Sequence, residues 1–202
     1  MPQPPAFPDE RPRCPWCLGG ARPDPVYVDY HDREWGAPLH DDRALFELLV
    51  LEGAQAGLNW LMLLKRRAGY REAFCGLDPA LVAGLTAADA EALAQDGRII
   101  RNRQKIASAI GNARAFLAVQ EAFGSFDRYL WRFVDGHPIQ NAWTEVGQVP
   151  ARTPLSDAVA KDMKGRGFSF VGSTIVYALL QSAGLVNDHL VGCFRHRELG
   201  GV

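Results

Sequence analysis

Apolar residues along the chain recur at three- to four-residue spacing, and no stretch sustains an apolar–polar alternation. That period belongs to helices, so the pattern predicts an all-α fold. Asp41 and Asp42 predict the start of a helix that places Leu45, Leu48, Leu49 and Glu52 on one face. Asp78 followed by Pro79 predicts another start, because a proline there lacks only an N–H the helix would leave unpaired. Thr86 and Asp89 predict a third, with Gly97 as the stop. Ile99, Ile106, Ile110, Ala113 and Leu117 share one face of a longer helix, and Ser125 caps one carrying Tyr129, Leu130 and Phe133. From Asp135 to Thr153, glycine, prolines and polar residues predict a long loop.

The C-terminal third reads as helix, hairpin, helix. Ser156 is placed as the cap of a short helix ending in Lys164–Gly167, the sequence FSFVGS turns the chain, and TIVYALLQSAG forms the second helix. Gly165, Gly167 and Gly172 allow backbone angles closed to other residues and a close approach to a ligand. The second helix begins near Thr174 with free N–H groups suited to a phosphate, and Lys161, Lys164 and Arg166 add positive charge nearby. A plain turn between packed helices explains the segment equally well.

Composition narrows the picture. A length of 202 residues with 48% hydrophobic content suits one domain with a substantial core. No apolar run approaches the ~18 residues of a membrane span. The first thirteen residues hold five prolines, which predicts a disordered tail over residues 1–12 and a single domain over 13–202. Net charge is −1, so any nucleic-acid contact must rest on local patches. No signal peptide is read, which predicts a cytoplasmic protein with its four cysteines reduced.

Reduced cysteines turn attention to metals. Cys14, His31, His189 and Cys193 form a possible Cys2His2 zinc site that would tie the two ends of the chain together. His189 and Cys193, four apart, would share a face of one helical turn. Cys17 competes with His31 and His196 with His189, while scattered, unrelated residues remain the simpler reading. Cys75 reads as buried packing. Glu52 poses a second question, since a carboxylate on an apolar stripe needs a partner or a ligand. Small residues follow it in GAQAGLNW, ending in Trp60, and Trp16, Tyr27, Tyr30 and Trp35 crowd the earlier segment. Such a set could stack a planar cationic base against a carboxylate, or form ordinary core with Glu52 on an arginine.

The segments RCPWC, DPVYVDYHDREWGAP, LFELLVLEGAQAGLNW, RIIRNRQKIASAIGNARAF, GFSFVGSTIVYALLQSAGLVNDH and VGC, running in order from Arg13 to Cys193, resemble the 3-methyladenine DNA glycosylase I family. The resemblance implies a helix-hairpin-helix DNA glycosylase fold and a monomer that acts on alkylated double-stranded DNA. It further implies one structural Zn2+ on Cys14, His31, His189 and Cys193, leaving Cys17 outside. Glu52 is the implied catalytic residue. Tyr27, Tyr30 and Trp60 line the implied lesion pocket, with Trp16 close by and Trp35 supporting. Leu58 would fill the gap left by a flipped nucleotide, and residues from Gly165 to Thr174, Gly167 and Gly172 among them, would hold the phosphate backbone. The wider superfamily uses an aspartate near the position of Asp188, which is kept as a possible assistant. No lysine lies in the second helix, so a Schiff-base lyase step is not expected.

Overall fold

The computed structural model describes residues 9–19 and 23–200. Its centre is α2 (Asp42–Gln55), in which every residue from Leu45 to Ala54 is buried. Asp41 caps it by accepting from the Ala44 N–H, as the sequence predicts. The predicted stripe is therefore only one side of a helix enclosed on all sides. Asp42 turns outward from that core and accepts from Gln120 Nε2 and from the N–H groups of Phe126 and Asp127. One carboxylate thus joins three elements.

The other helices are α1 (Pro25–Arg33), α3 (Trp60–Ala73), α4 (Pro79–Ala83), α5 (Ala87–Leu93), α6 (Arg103–Phe123), α7 (Phe126–Trp131), α8 (Pro154–Gly165), α9 (Ser173–Ser182) and α10 (Phe194–Gly200), of which α3, α6, α7 and α9 pack directly on α2. The fold is all-α. Two strands of two residues each, β1 (Ile139–Gln140) and β2 (Val186–Asn187), pair in parallel with Ile139 opposite Val186. β1 falls in the segment expected to be a loop, where its partner lies too far along the chain for local pattern to show it.

Starts were easier to predict than stops. Asp78 and Ser125 are N-caps, and Thr86 with Asp89 forms a capping box. Gly97 is not the stop of α5, which ends at Leu93. Ile99 precedes α6 instead of lying on it, and Phe133 falls in the 3-10 turn after α7. Ser156 is not the cap of α8: Thr153 is, and Ser156 sits three residues on, completing a capping box. α9 begins at Ser173 with Gly172 as its N-cap. Cys75, expected to be buried, is exposed.

Residues 1–8 of the expected tail lie outside the described residues. Within the rest of it, the Pro12 carbonyl accepts from the Phe194 N–H at 2.9 Å and the Arg11 guanidinium lies 4.2 Å above the Phe194 ring. The chain thus engages its C-terminal helix before residue 13.

The connection from α9 to β2 is set by Gly184, at φ +74°. A Cβ there would lie 2.4 Å from the Ala37 carbonyl carbon. Gly184→Ala combines left-handed strain with a backbone clash, so urea denaturation should show a loss of at least ~2 kcal/mol; a loss under ~0.5 kcal/mol, the range of ordinary surface changes, would contradict this close approach.

Candidate base pocket and metal centre

α1 supplies the first wall of a cavity. Its N-cap Asp24 and Pro25 start the helix so that Tyr27 and Tyr30 emerge three residues apart on one face, with His31 beside them. Tyr30 and His31 are buried. The 3-10 turn after Cys14 swings Trp16 over this face, with ring centroids 5.0 Å from Tyr27, 4.9 Å from Trp35 and 5.2 Å from His31. Trp60, at the start of α3, packs 5.6 Å from Tyr30. Its indole N–H is buried with no hydrogen-bond acceptor among the described residues. Together with Gln55, Gln181, Val146 and Val149 these side chains enclose about 240 Å³.

At the floor of the cavity sits Glu52, 3% exposed. Among the described residues no arginine reaches it. The arginines go to Glu47 on the same helix, which is gripped by Arg67 and by Arg71 at 2.7 Å. Burial acts to raise Glu47, but those hydrogen bonds hold its pKa below the ordinary range. Among the described residues Glu52 receives only the Ser182 hydroxyl at 2.8 Å, and Ser182 in turn accepts from the Tyr30 hydroxyl at 3.0 Å. Burial therefore dominates and pushes Glu52 up to about 8, with the Ser182 bond opposing it. Two buried glutamates five residues apart thus have opposite environments: one is neutralised by arginines, the other lines the cavity.

Asp188 also lines the cavity, but its oxygens are engaged. Oδ1 accepts from Asn141 Nδ2 and Trp143 Nε1, both at 2.7 Å, and Oδ2 from the Tyr177 hydroxyl at 2.6 Å and Gln181 Nε2 at 2.7 Å. Four donors make it a tie between the 135–153 segment, α9 and β2.

Behind the aromatic wall, Cys14, His31, His189 and Cys193 place one ligand atom each within 4.8 Å of one another, all four residues buried. Cys193 Sγ lies 3.4 Å from His31 Nε2 and 3.6 Å from His189 Nδ1, and Cys14 Sγ lies 3.6 Å from His189 Nδ1. Tetrahedral zinc with Zn–S ~2.3 Å and Zn–N ~2.0 Å separates S and N by about 3.6 Å, so the donor set fits that ion. The second ring nitrogens are already taken: His31 Nδ1 meets Asp32 Oδ1 at 2.8 Å, and His189 Nε2 meets the Trp35 carbonyl at 2.9 Å. Such outer partners fix which nitrogen faces a metal. The neighbouring Cys193 sulfur and burial raise the Cys14 thiol, while Cys14 and the two imidazoles lower Cys193. Cys17 is outside the cluster and donates to the Cys14 carbonyl at 3.1 Å, and His196 Nε2 is paired with the Asn141 carbonyl. His189 and Cys193 do not share a helical turn as predicted. A tight turn, with the Cys193 N–H on the Leu190 carbonyl at 2.7 Å, brings them together just before α10.

The segment between α8 and α9 lies apart from the lining of this cavity. Gly167, at φ +91°, and Phe170, at φ +55°, use a left-handed backbone; Gly172 has φ −64°, so its expected conformational privilege is not exercised. Gly165 and Gly167 are exposed, as is Thr174. The turn is pinned from α6: Asn112 accepts from the Ser169 N–H at 2.8 Å and donates to its carbonyl at 2.9 Å. Leu58 is half-buried against the core at the turn between α2 and α3.

Sequence reasoning missed Ser182, Gln55, Gln181 and Asn112. Ser182 and Asn112 carry a usable signal, a polar side chain on an otherwise buried helix face. Gln55 and Gln181 carry none, since glutamine at a helix end is ordinary.

Comparison with known proteins agrees with this geometry. The sequence profile of the methyladenine glycosylase family matches residues 17–196. The chain belongs to the methyladenine glycosylase family. DNA-3-methyladenine glycosylase 1 of Escherichia coli K12 is 47% identical over 181 residues, which span 90% of this chain and 95% of that protein. A crystal structure of 3-methyladenine DNA glycosylase I superposes with a TM-score of 0.86 at 48% identity, covering 91% of this chain and 98% of that one. A variant of 3-methyladenine DNA glycosylase I in complex with 3-methyladenine gives 0.85 at 37% identity, covering 88% and 95%.

The environment of Glu52 makes a thermodynamic prediction. Between the ordinary glutamate value of 4.5 and about 8 the folded state holds a proton that the unfolded state has lost. Stability contributed by this group is complete below pH ~4.5 and falls as pH rises towards 8. Glu52→Gln should abolish that component, so denaturation of the pair at pH 5 and pH 8 should show the variant gaining relative to the parent at the higher pH. An unchanged difference would place the carboxylate in solvent.

Proposed function

We propose that this member of the family is a DNA-3-methyladenine glycosylase that hydrolyses the N-glycosidic bond of 3-methyladenine in alkylated double-stranded DNA. The observation that carries the reading is a buried, protein-unneutralised Glu52 beneath an aromatic-lined cavity. Methylation at N3 puts positive charge on the base. Aromatic faces and a carboxylate favour such a ring over neutral adenine, and a cation in the cavity would lower the pKa of Glu52 and draw it into its ionised form. Binding therefore supplies a charge partner that the protein withholds from Glu52 and gives to Glu47. The complex of a relative with 3-methyladenine supports the same ligand.

The nucleotide would leave the helix to reach the cavity, at a cost of a few kcal/mol for unstacking. Leu58 is assigned to the gap it leaves. The α8–turn–α9 unit, with open space around Gly167 and exposed Lys161 and Lys164, is assigned to the phosphate backbone as a helix-hairpin-helix. The C1′–N9 bond then breaks, its electron pair neutralises the departing base, and water adds to C1′ with loss of a proton to solvent. Trp16, Tyr27, Tyr30 and Trp60 orient the base, Glu52 holds its edge, and Tyr30 with Ser182 fixes Glu52. Asp188, saturated by four donors, is assigned to scaffold and not to activation of water. α9 contains no lysine to form a Schiff base, so the reaction stops at the abasic site.

The Cys2His2 cluster is assigned to one structural zinc, which when bound cross-links the two ends of the chain and adds directly to folding free energy. The protein is assigned to the cytoplasm, a reducing compartment in which free cysteines such as its four persist, and to action as a monomer.

Incubation with methylated duplex DNA should release free 3-methyladenine without strand cleavage; failure to release any would sink the assignment. Glu52→Gln should lower kcat/KM by about tenfold or more, the effect of losing one charged contact, while the fold survives. Elemental analysis should find one zinc per chain, and His189→Ala should lower both zinc content and Tm, by several degrees or more. Retention of full zinc by that variant would remove the metal assignment.

A further inference from the structure

α2 ends without a side-chain cap of its own. The carbonyls of its last turn have no partner within the helix, and the chain then makes a sharp turn through Gly57, at φ +76°, into Leu58. Two contacts close this turn on itself: the Leu58 N–H donates to the Gln55 carbonyl at 2.6 Å, and Gln55 Nε2 donates to the Leu58 carbonyl at 2.9 Å. A third comes from another helix. Lys105, in the first turn of α6, places Nζ 2.8 Å from both the Ala54 and Ala56 carbonyls. Among the described residues no carboxylate pairs with this ammonium, and burial lowers its pKa. A partly desolvated cation spent on two backbone carbonyls instead of an acid acts on the backbone it holds. It also suits the negative end of the α2 dipole. The turn it secures contains Gln55, which lines the base cavity, and Leu58.

We propose that Lys105 is a positioning residue that holds the α2–α3 turn, and with it Leu58, in the conformation needed to displace a nucleotide from duplex DNA. The inference rests on the wedge role given to Leu58 above. Lys105 itself touches neither the base cavity nor the reacting bond. Its contribution therefore belongs to extrusion of the nucleotide and not to bond cleavage, which makes the two separable.

The test compares 3-methyladenine release from the same methylated oligonucleotide in duplex and single-stranded form, for the parent, Lys105→Met, Leu58→Ala and the double variant. A misplaced wedge matters only where a stacked, paired base must be pushed out. Lys105→Met should lower kcat/KM on the duplex by on the order of tenfold to a hundredfold, with a much smaller loss on the single strand. Affinity for free 3-methyladenine should be unchanged. Leu58→Ala should show the same asymmetry, and the double variant should be little worse than Leu58→Ala alone, because the two act through one element. Equal losses on both substrates would mark Lys105 as a phosphate contact and overturn the proposal, as would no loss on either or additive losses in the double variant. If Leu58→Ala shows no asymmetry, the wedge reading itself fails and this inference with it. If Leu58→Ala shows it and Lys105→Met does not, Lys105 alone is reassigned.

Discussion

The two ends of the chain meet at Cys14, His31, His189 and Cys193, and the cavity is shaped by that meeting. Trp16 follows Cys14 by two residues, Tyr27 and Tyr30 precede His31 on the same helix, and Asp188 adjoins His189. Moving any one donor out of the cluster would move a piece of the cavity wall with it. Trp35 makes the dependence explicit, since its ring lies 4.6 Å from His189 while its carbonyl accepts from the same imidazole. Arg13 completes the arrangement by holding Asp32, which in turn orients His31.

The second constraint is electrostatic. α2 buries two carboxylates in one helix, and the protein distributes its arginines unequally between them. Glu47 receives Arg67 and Arg71 and becomes structural. Glu52 receives one neutral hydroxyl among the described residues and stays costly to ionise. Under the proposed function, this pocket selects by charge as well as by shape, which suits a base that differs from adenine by one methyl group and the positive charge it brings.

Polar residues on otherwise apolar faces recur wherever one element positions another. Asn112 on α6 fixes both backbone groups of Ser169 in the α8–α9 turn, Asp42 on α2 joins α6 and α7, and Asp188 joins β2 to α9 and the 135–153 segment. Asn112 and Asp188 are buried and fully partnered, so the low dielectric around them strengthens the link instead of penalising it. α6 carries two such fixings, Asn112 on one turn and Lys105 on the other, and so braces both of the turns assigned to DNA.

Local chemistry was enough to determine the helical class, the caps at Asp41, Asp78, Thr86 and Ser125, and the oddity of Glu52, because those features depend on residues within a turn or two of one another. The four metal donors were visible as residue types, but spacing alone left Cys17 and His196 as rivals, and only the fold, with Cys17 turned onto a backbone carbonyl, separated them. Spacing even suggested the wrong local geometry for His189 and Cys193, which a turn and not a helix brings together. What Glu52 does was likewise undecided by sequence. An arginine was as available to it as to Glu47, and the choice between them was made by how α3 packs across α2. The same holds for Ser182 and Lys105, whose partners lie 130 and 51 residues away in the chain. Sequence pattern reports which face of an element seeks burial; which polar groups meet inside is decided by the packing of whole elements, where a shift of a few ångströms makes or breaks a hydrogen bond.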